Sequence, residues 1–200
     1  TFVDSADVRL HSSAASAGDL YINASTDLAV GGNLSITATT GNITQSGALD
    51  IEGTTTLVTT AQGGTIDLAT NGSGNAFTSE LLITTNDNDS PTDGTYAAHV
   101  SVDGGTTNLI IGTSTIDGNL TLRSGGTLTD TDSSTVTVKG TLSATTDASD
   151  RAITLNDLAV VGAFTLAPDG TGAVTIVNAV GLELAASTMG GTFSGTATTG

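Results

Sequence analysis

The residues whose types and spacing suit chemistry best lie in Asn86-Asp87-Asn88-Asp89-Ser90-Pro91-Thr92-Asp93-Gly94. Oxygen side chains at alternate positions before a glycine suit calcium, a hard cation that takes roughly six to eight oxygen ligands. Asp87, Asp89 and Asp93 are the candidate ligands. Pro91 interrupts the helix-loop-helix calcium spacing, and no Glu closes the loop at its twelfth position, so a solvated acidic turn competes with the metal site. Thr129-Asp130-Thr131-Asp132 is a weaker metal candidate, and the glycine-rich GGxGxD calcium repeat is absent. No cofactor is expected, and calcium is the one for which the sequence offers candidate ligands.

Acid–base chemistry has less material. Asp50, Glu52 and Asp67 flank the aliphatic pairs Leu49/Ile51 and Ile66/Leu68, so on stacked strands they could lie close and serve glycoside hydrolysis. His11 and His99 are the two histidines, and neither stands in a Ser/His/Asp spacing. The expectation is that the chain is not an enzyme. Tyr21, Tyr96 and Phe77 are candidate contact points for a partner. Asn23, Asn33, Asn42, Asn71, Asn88 and Asn119 begin N-x-[ST] triplets, which a chain so rich in Ser and Thr produces largely by chance.

The elements that must carry these residues are short strands. From Gly32 to Leu68 the apolar residues form alternating pairs, Leu34/Ile36, Leu49/Ile51 and Ile66/Leu68, with Ile43 and Leu57 between them. Period-two alternation puts one set on each face of an extended chain, and the Gly and Asn before each pair supply sharp corners. The pattern returns from Gly118 to Leu155, where Leu120/Leu122, Val136/Val138 and Ile153/Leu155 match the earlier pairs. A partial third copy sets Asp157-Leu158-Ala159-Val160 against Asp27-Leu28-Ala29-Val30. Repetition of this kind marks a fold built by stacking.

Composition agrees. Aromatics are 3% of the 200 residues, Trp and Cys are absent, and there are 40 Thr and 26 Gly. A core without aromatics must be filled by Val, Ile, Leu and Ala in repeated layers, as in a solenoid. Thr favours the outer strand face, and spaced aliphatic pairs argue against low-complexity disorder. The net charge of −16 repels phosphate backbones and anionic lipid, which speaks against nucleic acid and against a membrane surface as partners. No apolar run is long enough for a transmembrane helix, so membrane insertion is not expected. The absence of cysteine removes disulfides, thiolate metal sites and thiol catalysis.

The predicted fold is therefore all-β: a right-handed parallel β-helix (solenoid) of short strands with Gly/Asn/Thr corners. Residues 1–200 read as one segment of eight or nine turns, about 20 residues each, with Leu28 stacked on Leu49 and a loop projecting over residues 86–99. Strand pairs near both ends, Val8/Leu10 and Leu182/Leu184, have no visible polar cap, so continuation of the same chain or end-to-end self-association is expected to cover them.

The run GGNLSITATTGNITQSGALDIEG, with its G-N-L-x-I and G-N-I-T-Q elements, resembles the rod repeats of filamentous-haemagglutinin-like exoproteins. The resemblance is good from Leu20 to Leu68 and looser from Thr107 to Leu184. It implies a β-helix shaft of a bacterial adhesin, secreted by two-partner secretion and held at the outer-membrane surface. Its partners would be a host or neighbouring cell surface, or a glycan. No Asn-Pro is present, so the secretion signature of that family is missing. The alternative function is a polysaccharide-binding or polysaccharide-cleaving β-helix, which a groove with clustered carboxylates and aromatics would favour.

Overall fold

The computed structural model describes residues 28–87 and 97–199, together with the backbone of three earlier strands, Val3–Asp4, Val8–Ser12 and Leu20–Ile22. Every paired strand is parallel to its neighbours, and no helix occurs among the described residues. The strands form three sheets of a β-solenoid. Sheet A has four strands, the last three being Leu28–Val30, Leu49–Ile51 and Ala76–Phe77; sheet C has seven, from Leu20–Ile22 to Phe164–Pro168. Sheet B is the largest, with eleven strands from Val8–Ser12 to Phe193–Ala197. The seven strands of sheet C give about seven coils, fewer than the eight or nine expected, because several coils exceed 20 residues. Ile66 pairs with Val100, for instance, across the coil that carries residues 88–96.

The coils form because each short strand buries one alternating set of side chains. Leu34–Ala38 runs buried, intermediate, buried, intermediate, buried, and the same alternation holds in Leu120–Leu122 and Phe164–Pro168. Equivalent inward residues stack as ladders: Leu28 on Leu49, Ile36 on Leu57, and Leu120 on Leu142 on Phe164. The result is a single apolar cluster from Leu28 to Ile176, aliphatic except for Phe77 and Phe164. Each such side chain contributes about 1.5–3 kcal/mol on burial.

Corners share one construction. Asn33 Oδ1 accepts the N–H of Thr54 on the next coil at 2.8 Å, and Asn42 does the same for Thr65 at 2.7 Å. Asn108 receives Thr127 and Asn119 receives Thr141, both at 2.9 Å. Three of the N-x-[ST] asparagines thus tie coil to coil by this corner bond, and Asn71 does so by donating to the Gln45 carbonyl. His99 takes the same place at one corner, its Nδ1 accepting the Asn119 N–H at 3.0 Å. Glycines beside these corners have no room for a side chain: a Cβ on Gly140 would lie 2.1 Å from Asn119 Oδ1.

Midway along the stack the faces are re-indexed. Sheet A stops at Phe77, which sits on Ile51 and is 2% exposed, so the residue expected at a contact surface is core. On the next coil the chain turns from Asp103 to Leu109 through Gly104 and Gly105. Gly105 has φ +68°, and a Cβ there would lie 2.0 Å from the Asn75 carbonyl oxygen, so only glycine fits. Glu80–Asn86 of sheet B then carries two strands: Glu80 and Leu81 pair with Ile110 and Ile111, while Thr84 pairs with Thr115. The kink between them at Gly112–Thr113 is mended by Ser114, whose Oγ accepts the Ile83 N–H and donates to the Gly112 carbonyl. Consequently the two copies in the sequence lie on different faces. Leu34/Ile36 belong to sheet B and their matches Leu120/Leu122 to sheet C.

Candidate functional site

The groove with the most chemistry opens on the later coils, where sheet A is missing. It has a volume of about 380 Å³ and is lined by Asp103, Arg123 and Asp147 with Ser73, Thr106 and Gly125. Asp103 ends its sheet C strand, Arg123 stands one coil on, and Asp147 follows the next strand of the same sheet. Strand stacking therefore brings three residues distant in sequence into one column. Arg123 donates from Nη1 to Asp103 at 3.3 Å and from Nε to Asp147 at 2.6 Å. The hydrogen bond to Asp147, with the charge of both carboxylates, holds the guanidinium above its ordinary value. Asp103 is buried, and its Oδ1 also accepts the Gly105 N–H. A guanidinium clamped between two carboxylates is a tie across three coils.

Sequence reasoning missed this trio. The available signal was spacing: Arg123 stands one coil length from an aspartate on each side. Lys139 and Asp117, joined at 3.0 Å, follow the same rule.

The predicted site residues are distributed differently. Asp87 is 4% exposed, and its carboxylate accepts hydrogen bonds from the Gln62 side-chain amide and, at 2.8 Å, from the Ala97 N–H. Its own N–H donates to Asp117 at 3.0 Å. It thus draws together the two sides of residues 88–96. Asp89 and Asp93, the other candidate calcium ligands, lie outside the described residues, as do Tyr96 and the side chain of Tyr21. Of the predicted loop over 86–99, residues 88–96 lie outside the described residues; Asn86 ends a strand, and Ala98 is fully buried with its carbonyl accepting from Thr85. Among the described residues no group of three His, Cys, Asp or Glu side chains is arranged to hold a metal.

The carboxylates considered for glycoside chemistry do not gather. Asp50 is on sheet A and Asp67 on sheet C, with Glu52 at the corner after sheet A. Burial pushes the Asp67 carboxyl up, but hydrogen bonds from the Thr70 hydroxyl and from the Ala69 and Thr70 N–H groups outweigh it, so it lies below the usual carboxylate range. Asp130 lies above that range because burial outweighs the amides of Asp157 and Asn156 that it accepts. It props the irregularity between Leu155 and Leu158, where sheet B bends. His99 is engaged at its corner, and His11 stands in an early strand of sheet B.

Comparison with curated proteins and with solved structures returned no match. A family model described as repeats of unknown function (DUF5649) matches residues 5–84 and 97–167. The gap between the two matched spans contains residues 88–96, whose flanks Asp87 draws together, so the family match breaks at that segment. With coils stacked on both sides of that break and more than half of its length matched, the chain belongs to this DUF5649 repeat family.

Proposed function

We propose that the chain is a non-catalytic shaft segment of a secreted or cell-surface bacterial adhesin or filament, giving length, rigidity and surface contact. One observation carries this reading: a single apolar core runs through the stacked coils from Leu28 to Ile176, while the buried charged groups form ties between coils. Asp103, Asp117 and Asp87 each bind a partner on a neighbouring coil or across the 88–96 segment. The resemblance to filamentous-haemagglutinin-like rods supports placement on a bacterial outer surface, with a host cell, a neighbouring cell or a glycan as the surface contacted. The groove at Arg123 has no aromatic side chain in its lining, which favours the shaft over a polysaccharide-binding or polysaccharide-cleaving protein.

An antibody raised against the chain should label intact source cells and lose its epitope on brief protease treatment of those cells. Labelling that requires lysis would overturn the surface shaft. Depolymerisation of any polysaccharide by the purified chain would overturn the non-catalytic reading. At Asp87, Asp89 and Asp93 a solvated acidic turn is favoured over a calcium site, and no cofactor is expected. No saturable heat of calcium binding by the unmutated chain is the expected result, and saturable heat that is lost in Asp89→Ala with Asp93→Ala would establish the calcium site instead.

A further inference from the structure

Of the 11 asparagines one precedes a glycine, Asn71 before Gly72. In an unfolded chain that dipeptide is chemically unstable. With no side chain to hinder it, the glycine nitrogen can attack the asparagine side-chain carbon and close a five-membered imide. The new bond joins Gly72 N to Asn71 Cγ, the bond from Cγ to Nδ2 breaks, and the amide nitrogen leaves as ammonia. Water then opens the imide at either carbonyl and leaves aspartate or isoaspartate, with no oxidant or cofactor consumed. Ala, Leu, Ile or Asp follows every other asparagine, and those side chains obstruct the attack.

The fold withholds each thing the attack requires. The Gly72 N–H donates to the Ala69 carbonyl at 3.1 Å, so the nucleophile keeps its hydrogen and points away from Cγ. Asn71 Nδ2, the leaving group, donates to the Gln45 carbonyl at 2.9 Å, and the Asn71 carbonyl accepts from Gln45 Nε2 at 3.0 Å. Gln45 belongs to the preceding coil of sheet C. Its Nε2 is also held by Asn75 at 2.9 Å, and Asn75 reaches the Asp103 carbonyl of the following coil at 2.8 Å. The restraint on Asn71 is thus the junction of three coils where sheet A stops. Asn71 is exposed all the same, so water has access to it once these bonds open.

The product cannot close in the same way. A carboxylate at residue 71 sets an acceptor against the Gln45 carbonyl, where Nδ2 had supplied the hydrogen. Isoaspartate also adds a carbon to the backbone ahead of Gly72, which is buried without space around it. A Cβ on Gly72 would already lie 2.2 Å from the Leu68 carbonyl oxygen and 2.8 Å from Asp103 Cβ.

We propose that Asn71-Gly72 is a modification site, deamidated by water when this junction opens and protected while it is closed. Each deamidation makes one opening permanent. The site depends on the junction alone and not on where the rod is displayed.

Peptide mass spectrometry on the purified chain in mildly alkaline buffer tests it, with the same chain unfolded in guanidinium as the reference. In the unfolded chain Asn71 should gain about 1 Da, as aspartate or isoaspartate, and in the folded chain it should do so at least about tenfold more slowly. Gln45→Ala and Asn75→Ala loosen the junction, and each should raise the folded rate at Asn71 about tenfold without raising that at Asn108. Circular dichroism shows whether each variant is folded, and either folded variant suffices for the comparison. Asn71→Asp, the product made in advance, should melt below the parent. Equal rates at Asn71 in the folded and unfolded chain overturn the proposal, as does an Asn71 that stays unmodified when unfolded. Folded junction variants no faster than the parent also overturn it, and an Asn71→Asp chain that melts with the parent overturns the permanence. None of these results bears on the cell-labelling test of the shaft.

Discussion

The coils before residue 87 and those after residue 97 are built from the same parts, yet they place them on different faces. In the first set a coil runs through sheets C, A and B, and the Gly32-Asn33 corner lies between A and B. In the second set it runs through C and then twice through a bent sheet B, and the equivalent Gly118-Asn119 corner lies between B and C. The corner hydrogen bond is the same in both, 2.8 Å at Asn33 and 2.9 Å at Asn119. A corner and the strand after it are therefore a portable unit, while the identity of a face is not. Polar groups are buried at the seam between the two sets. Asn75 donates to the Leu68, Asp103 and Gln45 oxygens and accepts from Leu49 and Gln45, joining three coils in one amide network.

If both sets rest on the same inward ladders, one buried carboxylate should be equally damaging in each. Leu34→Asp and Val136→Asp should each cost several kcal/mol, since a charge would be left in an aliphatic column. Ser35→Asp and Thr137→Asp, on the outer faces, should stay within about 0.5 kcal/mol of the parent. Thermal melts that show equal damage on the two faces would break the assigned register.

The seam should matter next. Asn75→Ala takes the side-chain partner from the Leu49 N–H and from the Leu68 and Asp103 carbonyls, while the Gln45 amide keeps Gly47 and Asn71, and an expected loss of about 3 kcal/mol follows at about 1–3 kcal/mol for each buried group left unsatisfied. It should also uncouple the two sets. Two melting transitions instead of one would be the sign, and a single unshifted transition would show that the seam carries no coupling.

A portable corner implies equal worth in either setting. Asn33→Ala and Asn119→Ala should each lose about 1 kcal/mol in denaturant titrations. A clear inequality would mean that the face decides the strength of the corner. Thr55 tests the ladder from the opposite direction. It is fully buried between Leu34 and Leu81, and its hydroxyl has no hydrogen-bond partner. Thr55→Val should raise stability by about 1 kcal/mol, because an unsatisfied hydroxyl becomes a methyl group.

The smallest effect separates the two sets by pH. Asp67, in the first set, has its folded value held below the unfolded one. Its contribution is present above about pH 4 and is lost as pH falls through the folded value. Asp130, in the second set, has its folded value raised. The fold therefore favours its protonated form, and that contribution is lost as pH rises through the folded value. Asp67→Asn should flatten the acid limb of the stability curve, whereas Asp130→Asn should steepen it. Two variants with superimposable acid limbs would contradict both assignments.

Alternation makes the strands and their inward sides legible from the residues alone: Leu28 does stack on Leu49, and the fold is an all-β parallel solenoid. What alternation cannot carry is the face on which a strand lies, since Leu-x-Ile reads alike in every sheet. The equal spacing of the two sequence copies therefore suggests alignment where the structure has a change of faces. The seam is hidden because Phe77 in a polar run reads as a surface residue until Ile51 is placed beneath it. The ties are hidden because Asp103, Arg123 and Asp147 become neighbours only once the coil length is known.

The direction of the ladder hydrogen bonds has a mechanical consequence. Because the strands stack along the axis, their hydrogen bonds run along it too, and a pulling force on the two ends stretches them one rung after another instead of shearing many at once. Such a rod yields coil by coil. A coil such as the one from Val100 to Leu120 would release about 60–65 Å of slack when it opens, the contour of some twenty residues less one stacking distance. Arg123 fastens three successive coils, so force spectroscopy should meet its highest step there, and the coils on either side should extend first.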